Sequence, residues 1–202
     1  MTELYASMAE LKARLDISDN DDDAILGGML EAVSRSIDSL THTRFYSTAA
    51  DETRYFTATC DDVLWVGHIQ SITTLKTDAD GDRTYEDSWT EDTDFDLLPY
   101  NAALDGLPYD EIQTTPQGNY SFPAGVAKGV EIIGKFGYST SAPPAIREAT
   151  LLICEKLFLR KDAVFGVMGV TELGVVQRII KDDPELTLLL APFMPSPAPR
   201  MY

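Results

Sequence analysis

The chain has 202 residues, 44% of them hydrophobic, which suits one or two domains with a real core. Its 33 acidic side chains against 16 lysines and arginines leave a formal charge of -17. That surplus excludes ordinary phosphate-neutralising binding of nucleic acid and disfavours an anionic membrane surface, while it favours solubility and repels DNA brought near. Cys60 and Cys154 are the only cysteines, with no CxxC spacing, so a disulfide framework is not expected and a reducing compartment is. No apolar segment follows a basic start, so no secretory leader is expected, and no apolar run is long enough to span a bilayer.

The first part, residues 7–42, is patterned as helix. Ser7-Met8-Ala9-Glu10 has the capping-box form, and Leu4, Met8, Leu11 and Leu15 then fall on one stripe. This helix should stop near residues 16–18. A second start follows at Asp19-Asn20-Asp21-Asp22-Asp23, where carboxylates suit the positive end of a helix dipole. Ile25, Met29, Val33 or Ala32, Ile37 and Leu40 make its apolar stripe. Gly27-Gly28 weakens it by about 1 kcal/mol per glycine, and close packing on another helix would be one reason to keep the pair.

The middle, residues 51–139, reads as short strands and turns. Residues 53–57 are β-prone, and Val63-Leu64-Trp65-Val66 is a short apolar run. Strands at 72–77 and 83–85 flank Asp78-Ala79-Asp80-Gly81-Asp82, where Asp-Gly signals a hairpin turn. Weaker strands are expected at 95–98 and 111–114. The strongest is at 130–136, β-branched and ending at Gly137. Short strands at this spacing suggest a small sandwich or barrel-like sheet.

Pro143-Pro144 opens the third helix, apolar on more than one face. Ile146, Ala149, Ile153 and Leu157 form one stripe, and Leu151, Leu152, Phe158 and Leu159 lie outside it. Such a helix is buried on most sides. Two readings are open: a central helix buried within its own monomer, or one flank buried by another subunit. Residues 173–180 are a candidate strand. Asp183-Pro184-Glu185 starts a last helix that should end by Ala191. The Pro-rich tail from Pro192 is expected to be extended or disordered, with Phe193, Met194, Met201 and Tyr202 as apolar anchors suited to docking on a partner.

Catalytic chemistry is sparse. His42 and His68 are the only histidines, neither at metal-ligand spacing from another His or Cys, and no GxSxG, P-loop or GxGxxG occurs. No enzyme, cofactor or metal is expected. The stretch 78–82 is similar to a calcium loop, but aligning Gly81 with the invariant glycine puts Lys76 at the first ligand position and Asp87 at the last. A calcium-dependent binding module and an acidic DNA-mimic inhibitor are the two alternative functions.

Several pieces in order resemble the head–tail connector (adaptor) proteins of long-tailed bacteriophages. They are Leu11-Lys-Ala-Arg-Leu15 with the Asp-rich second start, Ile37-Asp-Ser-Leu-Thr-His-Thr-Arg-Phe45, and Ser71-Ile-Thr-Thr-Leu-Lys-Thr-Asp-Ala-Asp-Gly81. Leu97-Leu-Pro-Tyr-Asn101, Val130-Glu-Ile-Ile-Gly-Lys-Phe-Gly-Tyr138 and Pro143-Pro-Ala-Ile-Arg-Glu-Ala-Thr-Leu-Leu152 follow. Asp182-Asp-Pro-Glu-Leu186 and Leu190-Ala-Pro192 complete the set. The Pro-rich end is longer than this resemblance implies.

The resemblance implies an α+β fold: a helical bundle core from the N- and C-terminal segments with an inserted small antiparallel β domain. Residues 1–48 and 143–191 would form the core, 49–142 the insertion and 192–202 the tail. It also implies a homo-oligomeric, twelvefold ring in the virion neck, made in the host cytoplasm. The portal protein would lie above it and a stopper or tail-completion protein below, with DNA passing through the lumen without specific binding. On that expectation Leu151, Leu152, Phe158 and Leu159 serve the subunit interface, and Phe193, Met194, Arg200, Met201 and Tyr202 dock on the portal.

Overall fold

The computed structural model describes residues 3–161 and 183–194. The fold is α+β, with a six-stranded antiparallel sheet. The chain divides into two compact units: residues up to Phe45 with those from Ser141 onward, and Tyr46–Thr140. Within the described residues no helix is long and apolar enough to cross a membrane.

In the helical unit, α1 (Met8–Leu15) begins on the expected capping box. The Ser7 hydroxyl accepts from Glu10 N–H and the Glu10 side chain accepts from Ser7 N–H, which stabilises this short helix by about 1 kcal/mol. Asp16 ends it in the left-handed region at φ 56°. In α2 (Asp23–Thr41) the buried stripe is Leu26, Met29, Leu30, Val33 and Ile37. Ile25, expected in that stripe, is exposed. The buried arc also takes in Ser34, Ser36 and Thr41, whose hydroxyls donate to the carbonyls of Leu30, Ala32 and Ile37 one turn back. Satisfied in this way, polar side chains tolerate burial, and a count of apolar positions misses them. Gly27-Gly28 does not mark a close approach. A Cβ on Gly27 would make an ordinary 3.5 Å contact with Met8, and one on Gly28 would meet nothing within 4 Å.

Tyr5, ahead of α1, is fully buried. Its phenol donates to Asp38 and accepts from Phe45 N–H at 3.1 Å. Burial and the bond to Asp38 raise the phenol above its ordinary pKa, so it remains a donor. Burial likewise raises Asp38, against the lowering effects of Tyr5 and of Arg35 at 3.0 Å. α4 (Pro144–Lys161) packs on α1, α2 and α5 (Pro184–Leu190). The Asp183 side chain caps α5, with Pro184 at its first position as expected. Of the tail expected to be extended from Pro192, the structure describes only the first three residues, and Pro192 and Phe193 depart from it. Ala191–Phe193 is a 3-10 turn, with Pro192 at an early position whose missing N–H costs nothing. The candidate strand at 173–180 lies outside the described residues.

In the β unit the strands are β1 (Glu52–Phe56), β2 (Val63–Thr77), β3 (Asp87–Trp89), β4 (Phe95–Leu98), β5 (Tyr109–Thr114) and β6 (Val130–Phe136). Their order is β1-β6-β2-β5-β4, with β3 also on β2. The two separate strands expected at 63–66 and 72–77 are one strand. Gly67, at φ 72°, and register shifts between Trp65 and Ile69 let β2 bend through the break instead of ending there. The strand expected at 83–85 is absent, and pairing resumes only at Thr77↔Asp87. The reason is the loop itself. The Asp78 carboxylate accepts from Gly81 N–H at 2.7 Å and Arg83 N–H at 2.8 Å, so these residues bond inward and not across a ladder. The core gathers the alternate residues Val130, Ile132 and Phe136 of β6 with Leu64, Ile69 and Leu75 of β2. Trp89 stacks on Phe122 at 4.6 Å, and its indole N–H donates to Thr77 Oγ1 at 2.9 Å.

The incoming and outgoing chains of this unit run side by side. Tyr46 bridges Ser139 in parallel, and Thr48 N–H donates to the Phe136 carbonyl at 2.8 Å. Gly137 sits in this crossing at φ 129°, against the Tyr46 carbonyl.

Candidate assembly interface

Helix α4 carries four of the nine assembly candidates singled out from the sequence. Its inner stripe of Ile146, Ala149, Ile153 and Leu157 is buried as the spacing predicts. Cys154 is buried with it, and burial pushes its thiol up to about 12, which leaves no reactive thiolate. Leu151 and Leu152 are also buried within the chain itself. Phe158 is half-buried, and Leu159 is 65% exposed. The four candidates therefore do not form one free face. Burial within the monomer accounts for Leu151 and Leu152, and Leu159 is the one that offers a large apolar surface. The exposed Leu188 of α5 was not singled out from the sequence. It lies outside the helical stripe completed by Leu186 and Leu190, and that stripe was the only available signal.

The tail candidates also separate. The Phe193 ring packs edge-on against Phe45, centroids 5.2 Å apart, so it is an internal contact of the helical unit. Met194 is exposed. Arg200, Met201 and Tyr202 lie outside the described residues.

Cations act as clamps between helices. Arg14 of α1 reaches Glu148 at 2.6 Å and Glu155 at 2.7 Å on α4. Arg147 meets Glu10 at 3.0 Å, Lys12 meets Asp23 at 2.6 Å, and Lys156 pairs with Asp183. Part-exposed pairs of this kind contribute about 0–1 kcal/mol each. Their larger consequence is electrostatic. Each of these cations is already matched by a carboxylate of its own unit.

Asp78, Asp80 and Asp82 form the one group of acidic, His or Cys side chains among the described residues close enough to share a metal ion, with ligand atoms within 4.8 Å. Each carboxylate already accepts from the loop's own N–H groups: Asp78 from Gly81 and Arg83, Asp80 from Asp82, and Asp82 from Thr84. This arrangement is a self-capped turn. Burial raises the Asp78 carboxyl, and the N–H bonds of Arg83 and Gly81 more than offset it, so its pKa is lowered. A carboxyl lowered in the folded state stabilises above its unfolded range, near about pH 4, and that stability is lost as pH falls through the folded value. The β unit of an Asp78→Asn variant is expected to be less stable at neutral pH and to show a flatter loss of stability in acid. Both tryptophans lie in this unit, so fluorescence during acid and urea titrations reads the outcome. An unchanged acid profile would remove this role for Asp78. His68 is half-buried, edge-on to Tyr138 at 5.3 Å, and burial lowers its pKa. His42 is the exposed left-handed cap of α2. The two histidines belong to different units.

No family profile and no curated protein matches the chain. Solved structures do match. A chain in the neck of an empty GTA particle, computed with C6 symmetry, aligns with 86% of this chain and 88% of its own length at TM-score 0.50 and 19% identity. A chain from the virion of a native gene transfer agent (GTA) particle aligns over the same shares at TM-score 0.50 and 21% identity. This chain shares their fold. The match covers most of both chains, so it includes helical and β parts together.

Proposed function

We propose that this chain is a structural neck protein of a phage-like particle. It is a head–tail connector that forms a homo-oligomeric ring between the portal and a stopper or tail-completion protein. The observation that carries this reading is the fold shared, over most of both chains, with a chain in the neck of a GTA particle. That neck was computed with C6 symmetry, which suits a ring of six or twelve copies. The ordered resemblance of the sequence to connector proteins points the same way. So does the charge of -17, which suits a lumen that lets DNA pass without holding it. The residues proposed for assembly are Leu159, with Phe158 beside it, and the tail beyond Phe193. No catalytic role is proposed.

Negative-stain imaging of the protein mixed with its portal tests this reading directly. Rings seated on the portal are the expected result, and their absence would end it. The tail has a separate test. Because Phe193 belongs to the helical unit, truncation should begin at Pro195. Loss of residues 195–202 is expected to abolish portal co-sedimentation while the unfolding transition stays in place. Undiminished co-sedimentation would refute the docking role of Arg200, Met201 and Tyr202.

A further inference from the structure

The connection between β4 and β5 presents more apolar surface than any other turn of the described β unit. Leu104 is 87% exposed, Tyr100 65% and Leu107 45%. This is not loose chain. A short helix, α3 (Ala102–Asp105), is closed by Gly106 in the left-handed region at φ 68°. Ala102 N–H donates to the Pro99 carbonyl at 3.0 Å and Leu107 N–H to the Ala102 carbonyl at 2.9 Å. Ala102 is the buried foot of the loop, and the leucines and the tyrosine stand outside it. An ordered loop that holds large apolar side chains in water is characteristic of an interaction site.

Charge indicates what covers it. The chain is 24% charged, so a stretch of thirteen residues should carry about three charges, yet residues 97–109 carry only Asp105. A basic partner would favour the acidic surface elsewhere. A partner that is itself strongly acidic must meet this protein where charge is thin. A second copy of this chain, at -17, is such a partner.

Ring closure constrains the receiving surface. A closed ring is built from a heterologous contact, in which two unlike patches of each copy meet. The helical unit supplies unlike apolar side chains in Leu159, 65% exposed near the end of α4, and Leu188, 75% exposed on α5. We propose that the Tyr100–Leu104–Leu107 loop of one copy seats on the Leu159 and Leu188 surface of the next copy. This rests on the ring reading given above. One tyrosine and two leucines bury on the order of 400 Å², against the ~1,200–2,000 Å² of a stable pairwise interface. Single contacts are therefore weak, and closure around a ring supplies the rest.

Sedimentation velocity on the full chain, in salt high enough to screen its charge, tests the proposal. The wild type is expected to self-associate weakly with concentration. Leu104→Asp and Leu159→Asp should each weaken association at least tenfold, and Leu104→Met should not. Both sites are exposed, and circular dichroism checks that each variant is folded. The decisive arm mixes the two aspartate variants. One keeps its receiving surface and the other keeps its loop, so heterodimers should form and stop there. The proposal is overturned if Leu104→Asp associates like the wild type, if the mixture stays monomeric, or if the wild type stays monomeric up to its solubility limit. The ring reading is judged separately by imaging with the portal. Rings formed by Leu104→Asp would sink the loop alone, whereas no rings from the wild type would sink the ring reading.

Discussion

Replacing Gly137 with alanine is expected to destabilise the β unit by about 3 kcal/mol or more. Two costs combine. The residue holds φ at 129°, a conformation that side-chain-bearing residues rarely adopt. A Cβ there would also lie 2.1 Å from the Tyr46 carbonyl oxygen and 2.6 Å from Ser47 Cα. Both obstacles are backbone, so no rotamer change relieves them. The outgoing chain would have to leave the incoming one, breaking the bond from Ser47 N–H to the Ser139 carbonyl at 2.7 Å. Urea unfolding followed by tryptophan fluorescence reads the loss, because Trp65 and Trp89 both lie in this unit. Gly28→Ala is the control. Its Cβ would meet nothing within 4 Å, and helix propensity favours alanine by about 1 kcal/mol. A Gly137→Ala variant as stable as the wild type would mean that the crossing of the two chains is looser than described.

Phe45→Ala is expected to cost the helical unit roughly 3–5 kcal/mol, the range for a fully buried aromatic replaced by alanine. Phe45 is 0% exposed. Its ring meets Tyr5 edge-on at 5.6 Å and Phe193 edge-on at 5.2 Å. Each aromatic pair adds about 0.5–1.5 kcal/mol beyond the area buried. The residue therefore joins the segment before α1 to the turn after α5, at the end of α2. Its loss should be read by far-UV circular dichroism on heating, since this unit contains no tryptophan. The same variant should make the chain after Leu190 more sensitive to protease, because Phe193 loses its seat. Protection equal to the wild type would show that Phe193 is held by other contacts.

The elements most legible in the sequence were those decided locally. The capping box at Ser7, the Asp183-Pro184 start and the β-branched run of β6 all carry their signal within a few residues. Where neighbours distant in sequence decide, local signals misled. Leu151 and Leu152 lie off the main stripe of α4 and looked available to another subunit, yet packing within the helical unit buries them. Ile25 looked like core and is exposed, while Ser34 and Thr41 are core because the helix's own carbonyls satisfy them. The run at 63–66 and the strand at 72–77 looked separate because bulges cannot be read without the partner strand. Of the assembly candidates, the sequence pointed to α4 and the tail. It did not point to the loop at Tyr100, Leu104 and Leu107, because nothing in that short apolar stretch says that its side chains stay in water.

The amino-acid sequence by itself determined the acidic surplus, the helix starts and the strand-forming middle, since charge, capping and β-branching act over a few residues. Only the tertiary structure decided which apolar side chains are used up inside the chain and which stay exposed. That division depends on contacts between segments as distant as Phe45 and Phe193, and no local pattern encodes them.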